Sequence, residues 1–350
     1  MPDPNPPQDV EAFLAASGPI VDVRSPGEFE QGHIPGAVSL PLFSDEERAE
    51  IGTAYKRQGR QVAVKLGLKS VGLRLPSLAQ RLLDLSDAGK TLRLHCWRGG
   101  MRSGSVAWLA STLELPVLLL QGGYKTYRRW VLECFETAWP LLVLGGRTGT
   151  GKTDLLHALR ERGEAIVDLE GLASHRGSSF GGLGLPPQPS TEHYENLLAA
   201  SLSASAGKAP IWLEAESAQV GRCRIPAGLW RQMSKAPAVE IQRPITERIE
   251  QLVAVYGDQG QESLRLATER IARRLGPQRT ATALEAIASH DWAAACQQML
   301  DYYDRCYDNE LSRRETPLLS SFDLGGLGPD AAAAELLQPA PWWEQVKPGS

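Results

Sequence analysis

Short apolar runs and longer amphipathic segments alternate along the first two thirds of the chain. The apolar runs are typical of buried strands and cover residues 19–24, 37–40, 92–94, 141–145, 165–168 and 209–217. In several other segments, and over most of residues 245–312, apolar residues recur every three or four positions, which indicates helices that pack by one face. This pattern predicts two successive α/β units followed by a helical region.

The first candidate site lies where the strand pattern of residues 92–94 ends, in the sequence LHCWRGGMRSGS. A tight loop separates Cys96 from Arg102 before a helix predicted from Ser103, and its residues are Trp97, Arg98, Gly99, Gly100 and Met101. Backbone N–H groups at a helix N-terminus favour negative charge, so they would lower the pKa of Cys96 and favour the reactive thiolate. Arg102 adds a planar cation for an oxyanion. In the alternative interpretation, Cys96 is a small buried residue at a strand end.

The second candidate site is a glycine-rich loop between a strand and a helix, in the sequence LLVLGGRTGTGKTDLLHAL over residues 141–159. Its spacing fits the phosphate-binding P-loop, in which loop N–H groups and a lysine hold a diphosphate. The residues predicted to bind the diphosphate are Gly146, Gly149, Gly151, Lys152 and Thr153. We expect Thr153 and Glu214 to hold Mg²⁺. Alternatively, Glu214 or Glu216 pairs with Arg222 or Arg224.

A long segment rich in Gly, Pro and Ser, residues 176–190, follows the second unit's next strand. Connections of this length and composition are often functional lids. The polar residues assigned to this lid are His175, Arg176, Ser178 and Ser179.

Three basic regions are candidates for contact with RNA, although each has a structural alternative. Residues 51–74 carry six basic residues and no acid, a pattern that also fits a solvated helix face. Residues 124–130 interleave aromatic and basic side chains, which suits unstacked bases but also an amphipathic helix with its aromatic residues packed inward. The residues predicted to contact RNA are Lys56, Arg57, Arg60, Lys125, Arg128, Arg129, Arg270, Arg273 and Arg274.

The amino-acid composition limits the classes of protein to which the chain can belong. The 350 residues are 42% hydrophobic and 22% charged, which is typical of a globular protein. The net charge is −4, so the overall charge does not favour binding to nucleic acid, and any contact with RNA must come from local basic patches. The five cysteines form no C-x-x-C pair, which argues against a disulfide framework or a zinc site. We find no membrane-spanning run and no signal-peptide pattern, and therefore expect a cytoplasmic protein without membrane contact.

Two stretches carry a family resemblance. DVRSPGEFEQGHIPGAVSLP resembles the opening signature of rhodanese-like sulfurtransferase domains, and LLLQGGYKTYRRW, residues 118–130, resembles the strand and Gly-Gly turn that close them. The reactive cysteine of that family follows a later strand, as Cys96 does here. The resemblance has one departure, since five residues instead of four separate Cys96 from Arg102. The longer loop resembles that of Cys-x5-Arg phosphatases.

Further stretches extend the resemblance over most of residues 12–310, namely HCWRGGMRS, GTAYKRQG, DLEGLASHRGSSFG and WLEAES. With them the chain resembles the tRNA 2-selenouridine synthase family. That resemblance implies a transferase that alkylates the sulfur of wobble 2-thiouridine with geranyl diphosphate and then replaces the geranylthio group with selenium from selenophosphate. It implies tRNA as partner, and a selenophosphate-supplying enzyme as a second one. Under it, Cys96 is a nucleophile or a selenium carrier that accepts selenium as a perselenide.

The expected organisation is a rhodanese-like domain over residues 8–135, a P-loop domain over 138–245, a helical extension over 246–325 and a tail over 326–350. The apolar residues of the lid, Phe180, Leu183 and Leu185, either cover a geranyl chain or serve the packing of the loop. Three other functions stay open at this point: a Cys-x5-Arg phosphatase, a P-loop kinase or ATPase with a regulatory rhodanese-like module, and a non-catalytic RNA-binding scaffold.

Overall fold

A computed structural model describes residues 7–87, 89–311, 318–339 and 342. The chain divides into two compact units. The first comprises Met1–Cys134 with Glu195–Leu197, and the second comprises Phe135–Tyr194 with Leu198–Ser350. Both are built on parallel sheets with helices, so the expected α/β class is confirmed.

The first unit is built on a four-stranded parallel sheet of order β2-β1-β3-β4. The strands are β1 Ile20–Asp22, β2 Val38–Ser39, β3 Leu92–His95 and β4 Val117–Leu119. Its helices are α1 Val10–Ala15, α2 Pro26–Gln31, α3 Asp45–Gln58, α4 Arg60–Gly72, α5 Leu75–Ser86, α6 Met101–Thr112 and α7 Gly123–Cys134. Because β3 lies inside the sheet, the residues that follow it are held by strands on both sides.

Local sequence determines where several of these helices begin. Ser25 and Glu28 form a capping box at the start of α2, and Ser44 and Glu47 form another at α3. Each box satisfies backbone N–H groups that a helix leaves unbonded in its first turn. The first box bears on function, because it fixes Glu28 close to Arg102.

The second unit contains a five-stranded parallel sheet of order β11-β10-β5-β7-β6. The strands of this unit, including an antiparallel pair β8–β9, are β5 Leu141–Gly145, β6 Ala165–Val167, β7 Ile211–Glu214, β8 Gln219–Val220, β9 Cys223–Arg224, β10 Ala238–Gln242 and β11 Leu318–Asp323. Strand β5, which leads into the P-loop, is central and wholly buried.

The α-helices of the second unit follow the strands or form the helical region. Within the described ranges they are α8 Lys152–Glu161, α9 Leu169–Ala173, α10 Thr191–Ala204, α11 Ala227–Lys235, α12 Ile245–Tyr256, α13 Gln261–Arg270, α14 Ala272–Leu275, α15 Pro277–Ala288, α16 Trp292–Leu311 and α17 Pro329–Leu336. None of the helices in the described parts of the chain is long and apolar enough to cross a membrane.

The C-terminal region differs from the expected helical extension and tail. Residues Leu318–Asp323 form an edge strand of the sheet, parallel to β10, instead of continuing the helices. Within the expected tail, α17 packs against α8 and buries Ala332, Ala333 and Leu336. The apolar side chains of α17 are mostly alanines, so the sequence alone gives a weak amphipathic signal there.

Candidate active sites

Cys96 lies at the carboxyl end of β3, directly before the loop that leads into α6. Its side chain is almost completely buried, and its Sγ lies 3.2 Å from the Ser103 hydroxyl in the first turn of α6. Helix α6 begins at Met101, two residues earlier than expected, because Gly100 acts as its N-cap. The helix N-terminus therefore stands directly beside the thiol.

The loop lowers the pKa of the Cys96 thiol. Burial by itself raises that pKa, but hydrogen bonds from the Ser103 hydroxyl and from the backbone N–H groups of Ser103, Arg98 and Gly100 outweigh burial. Donors aimed at the sulfur stabilise the thiolate over the thiol. The sequence prediction of a loop that favours a thiolate agrees with this geometry.

Arg102 pairs with an acid from the opening signature. Its Nη1 donates to Glu28 Oε2 at 2.6 Å, and only 22% of the Arg102 side chain is exposed. Burial raises the pKa of Glu28, but Arg102 and the capping contacts more than compensate, so this pKa lies below its ordinary value. The carboxylate thus holds the guanidinium in place beside the Cys96 loop.

The Gly-Gly turn before α7 supports the Cys96 loop from behind. Tyr124 N donates to Cys96 O at 2.8 Å, and Lys125 N donates to Trp97 O at 2.9 Å. Gly123 has a φ of +63°, and a Cβ there would stand 2.4 Å from both Cys96 O and Gly99 N. Only glycine fits this position without displacing the loop.

A buried polar cluster beneath the loop was not predicted from the sequence. Arg24 forms a 2.6 Å ion pair with Asp22 and lies 3.7 Å from the centre of the Tyr124 ring. The β1–β3 register places Asp22 opposite His95, whose pKa falls to about 4 because burial disfavours the charged ring. The polar end of strand 19–24 was the available signal, but its partners became visible only through the register.

Hydrogen bonds hold the functional side chains of the P-loop in place. Lys152 Nζ donates to Gly146 O at 2.8 Å, and Thr153 Oγ1 donates to Glu170 Oε2 at 2.9 Å. Gly149 and Gly151 have φ values of +82° and +77°, which are strained for other residues. The loop therefore brings together all five residues predicted to bind the diphosphate.

Two arginines that the sequence did not single out hold the P-loop carbonyls. Arg248 Nε donates to Thr148 O at 2.8 Å, and Arg243 Nε donates to Thr150 O at 3.0 Å. Arg248 is buried and also pairs with Asp304 on α16. Because these partners lie far apart in sequence, local patterns gave no signal for them.

The acid beside Thr153 is Glu170, whereas the sequence predicted Glu214. Glu214 is buried and accepts a hydrogen bond from Leu169 N at 3.1 Å, whereas Glu170 is the acid that contacts Thr153. Burial raises the pKa of both glutamates, and the neighbouring Asp168 carboxylate adds to this increase. Glu170 follows β6 by three residues, a position at the carboxyl edge of the sheet that the sequence could have indicated.

The expected lid is packed over the helical region of its own unit. Phe180 is buried against α13, α15 and α16, and Leu183 packs beside it. Arg176 donates to Leu183 O at 3.0 Å, while Ser179 N donates to the Tyr303 hydroxyl at 3.3 Å. Burial lowers the pKa of His175.

An apolar cavity adjoins the P-loop beneath this lid. It has an empty volume of about 540 Å³, counting its open mouth. Its lining includes Thr148 from the P-loop, Ser178 and Phe180 from the lid, and helical residues such as Tyr256, Trp292 and Met299. Its lining is almost entirely apolar and reaches the P-loop at Thr148.

The predicted RNA-contacting residues occupy different environments. Those exposed to solvent are Lys56, Arg57, Arg60, Lys125, Arg129, Arg270, Arg273 and Arg274. Arg128 is instead half-buried and donates to Asn196 Oδ1 at 2.5 Å. Tyr124 and Tyr127 are fully buried, so the inward-packing alternative holds for these two rings.

Comparisons with known proteins match a known family to each half of the chain. The sequence model of the tRNA 2-selenouridine synthase AAA domain matches residues 139–324, and that of the rhodanese-like domain matches residues 6–129. The tRNA 2-selenouridine synthase of Hahella chejuensis is 37% identical, covering 88% of this chain and 90% of its own length. That of Shewanella denitrificans is 35% identical, covering 89% and 93%.

Proposed function

The chain belongs to the tRNA 2-selenouridine synthase family, and we propose that it performs a two-step reaction on wobble 2-thiouridine in tRNA. In the first step, the sulfur attacks the first carbon of geranyl diphosphate and diphosphate leaves. In the second step, selenium from selenophosphate replaces the geranylthio group. The P-loop serves the first step and the Cys96 loop serves the second.

The apolar cavity beside the P-loop carries the first part of the proposal. A nucleoside triphosphate presents a polar base and sugar, whereas geranyl diphosphate presents a branched hydrocarbon chain. The cavity lined by Phe180, Trp292 and Met299 matches such a chain. Burial of apolar surface there would contribute to binding, while the P-loop N–H groups and Lys152 hold the diphosphate.

Lys152 would stabilise the leaving group. As the carbon–oxygen bond breaks, negative charge builds up on the diphosphate, and a preorganised cation lowers the energy of that transition state. To bind it, Lys152 exchanges its hydrogen bond to Gly146 O for one to the diphosphate.

We propose that Mg²⁺ binds together with the diphosphate. No trio of His, Cys, Asp or Glu side chains within the described ranges is placed to hold a metal ion, so the ion would depend on phosphate oxygens as well. Thr153, with Glu170 in contact with it, would supply the protein's part. When bound, Mg²⁺ neutralises charge on the leaving diphosphate.

The Cys96 loop suits the second step because selenophosphate is a small anion. The N–H groups around Cys96 and the guanidinium of Arg102, which Glu28 holds in place, would supply donors to that anion. In this proposal Cys96 is the catalytic nucleophile: its thiolate adds at C2 of the base and displaces the geranylthiolate, selenophosphate then displaces Cys96 from C2, and Arg102 holds the selenophosphate anion.

Nucleoside mass spectrometry tests the assignment of the two steps. The protein is incubated with 2-thiouridine tRNA, geranyl diphosphate and selenophosphate, and the tRNA is then digested. We expect selenouridine from the wild type, geranylated thiouridine from Cys96→Ser, and neither product from Lys152→Ala. In Lys152→Ala, geranyl diphosphate affinity should fall at least about tenfold, because a charge-assisted hydrogen bond is lost.

The matched control is Lys208→Ala, which removes an exposed lysine far from the P-loop in sequence and should leave both products unchanged. Unmodified thiouridine in the wild-type reaction would refute the proposal. ATP hydrolysis by the wild type, lost in Lys152→Ala, would favour the kinase or ATPase alternative instead.

A further inference from the structure

A broad apolar groove on the first unit is lined in part by the last residues of the Cys96 loop, Met101 and Arg102. It has an empty volume of about 2170 Å³, counting the space open to solvent. Helices α3, α4 and α6 form much of its walls, with side chains such as Ile51, Val64, Leu68 and Trp108, and Phe43, just before α3, also lines it. Met101 and Arg102 begin α6, five and six positions after Cys96.

The groove leaves large apolar side chains in solvent. Leu68 is 68% exposed, Trp108 is 65% exposed and Met101 is 47% exposed. Contiguous exposed apolar surface is unfavourable in water and usually marks a binding site. Since Met101 and Trp108 are seven residues apart on α6, they lie on one helix face, and that face looks into the groove.

The charges around the groove indicate what the apolar ligand is attached to. Helices α3 and α4 carry Lys56, Arg57 and Arg60 in exposed positions, and Lys56 is itself part of the groove wall. The stretch from residue 51 to 74 contains no acid. Although the first turns of α3 carry acids, the border of the groove along residues 51–74 is basic, and it complements a hydrocarbon chain joined to an anionic polymer.

We propose that this groove binds the geranyl chain of S-geranyl-2-thiouridine tRNA during the exchange of sulfur for selenium. This inference rests on the proposed function. Phe43, Val64, Leu68 and Trp108 pack along the chain, and Lys56 and its basic neighbours contact phosphates of the tRNA. The base then reaches the Cys96 loop at Met101 and Arg102, which line both the loop and the groove.

The groove also accounts for the leaving group of this exchange. A carbon–selenium bond forms at C2 of the base, and the C2–sulfur bond breaks with its electron pair on sulfur. The geranylthiolate takes up a proton, and water cleaves the selenium–phosphorus bond to release phosphate. The departing thiol is an apolar molecule, and the groove keeps its chain out of water as the bond breaks.

The test uses the full-length protein and anticodon stem-loops that differ only in the group on sulfur. Binding of S-geranyl and S-methyl 2-thiouridine stem-loops is measured by fluorescence anisotropy at fixed salt. We expect the wild type to prefer the geranyl form by at least about tenfold in Kd. In the double variant Leu68→Gln/Trp108→Gln the preference should fall to about twofold, because the chain loses apolar contacts.

Leu73→Gln is the matched control. Leu73 directly follows α4 and is 96% exposed, but it does not line the groove. It should retain the wild-type preference. Both changed residues of the double variant are exposed, and its unfolding midpoint is recorded to confirm that it is folded. An unchanged preference in the folded double variant overturns the proposal.

Conversion of the S-geranyl stem-loop to the selenouridine form separates the two levels of inference. If the wild type converts it but the double variant keeps the preference for geranyl, the groove assignment fails and the proposed function stands. If the wild type prefers the geranyl form without converting it, the proposed function fails and the groove remains a site for the chain.

Discussion

At the scale of single residues, the first site depends on how one sulfur atom is surrounded. Cys96 is buried, and burial opposes ionisation, yet the donors of the loop and of Ser103 lower its pKa overall. The sequence predicted this effect from the glycines and the following helix. It gave no signal for Ser103 as the donor, because the helix was expected to begin at that residue instead of two residues before it.

The reactivity of Cys96 should therefore depend on Ser103. A lowered pKa means that the thiolate is present at lower pH than in an ordinary cysteine, whose pKa is near 8.5. We expect the rate of Cys96 alkylation to rise with pH around a midpoint below that value. In Ser103→Ala the midpoint should move up by about one unit, since a donor to the thiolate is lost.

The measurement follows alkylation of the Cys96 peptide by mass spectrometry across a pH series, which separates Cys96 from the exposed Cys306. Ser105→Ala, two residues further along α6, serves as the control. Equal midpoints in Ser103→Ala and the wild type would show that the hydroxyl does not stabilise the thiolate.

At the scale of elements, the Gly-Gly turn and α7 form the support of the Cys96 loop. The N–H groups that α7 leaves free in its first turn are bonded to the loop carbonyls of Cys96 and Trp97. The sequence predicted the turn by family resemblance, but the contact between the turn and the cysteine loop emerged only from the parallel pairing of β3 with β4.

Gly123→Ala should destabilise the first unit and disturb the thiol together. The new Cβ would stand 2.4 Å from Cys96 O, and φ at this position is +63°. We expect a loss of about 2–4 kcal/mol in unfolding free energy, measured by urea denaturation. Alkylation of Cys96 should then lose its low-pH midpoint.

Gly36→Ala isolates the part of the stability loss that comes from backbone strain. Gly36 has a φ of +78°, but no heavy atom lies within 4 Å of the position of the new Cβ. That variant should lose only about 1 kcal/mol. If the two variants lost the same unfolding free energy, the close contact between Gly123 and the Cys96 loop would make no contribution to stability.

At the scale of the whole molecule, charge is distributed unevenly. The net charge is −4, yet α3 and α4 present a cluster of exposed basic side chains. Affinity for tRNA should therefore fall steeply with salt despite the acidic total, since each phosphate contact releases counterions.

Removing three of these charges should flatten that dependence. In Lys56→Ala/Arg57→Ala/Arg60→Ala, the slope of log Kd against log salt should decrease in magnitude by about 2 to 3. The control triple variant changes exposed basic residues outside this cluster, Arg81, Arg160 and Lys208. Identical slopes for both triple variants would remove α3 and α4 from the tRNA-binding surface.

How much the sequence predicts depends on the range of the interactions. The α/β class, the strand before each loop and the P-loop were predictable, because each follows from a contiguous pattern. Arg248 and Arg243 were not, since their roles come from partners that lie far apart in the sequence and are brought together by packing. The edge strand β11 was missed for a related reason: its partner β10 lies far earlier in the chain.

The glycine behind the cysteine loop also has a genetic consequence. A screen for substitutions that abolish the cysteine chemistry should recover two separate clusters, one between Cys96 and Ser103 and one at Gly122–Gly123. The second cluster contains no side chain capable of chemistry. Its sensitivity would reflect only occupied space: a Cβ on Gly123 would meet the backbone of the first cluster, and a Cβ on Gly122 would meet the side chain of Thr126.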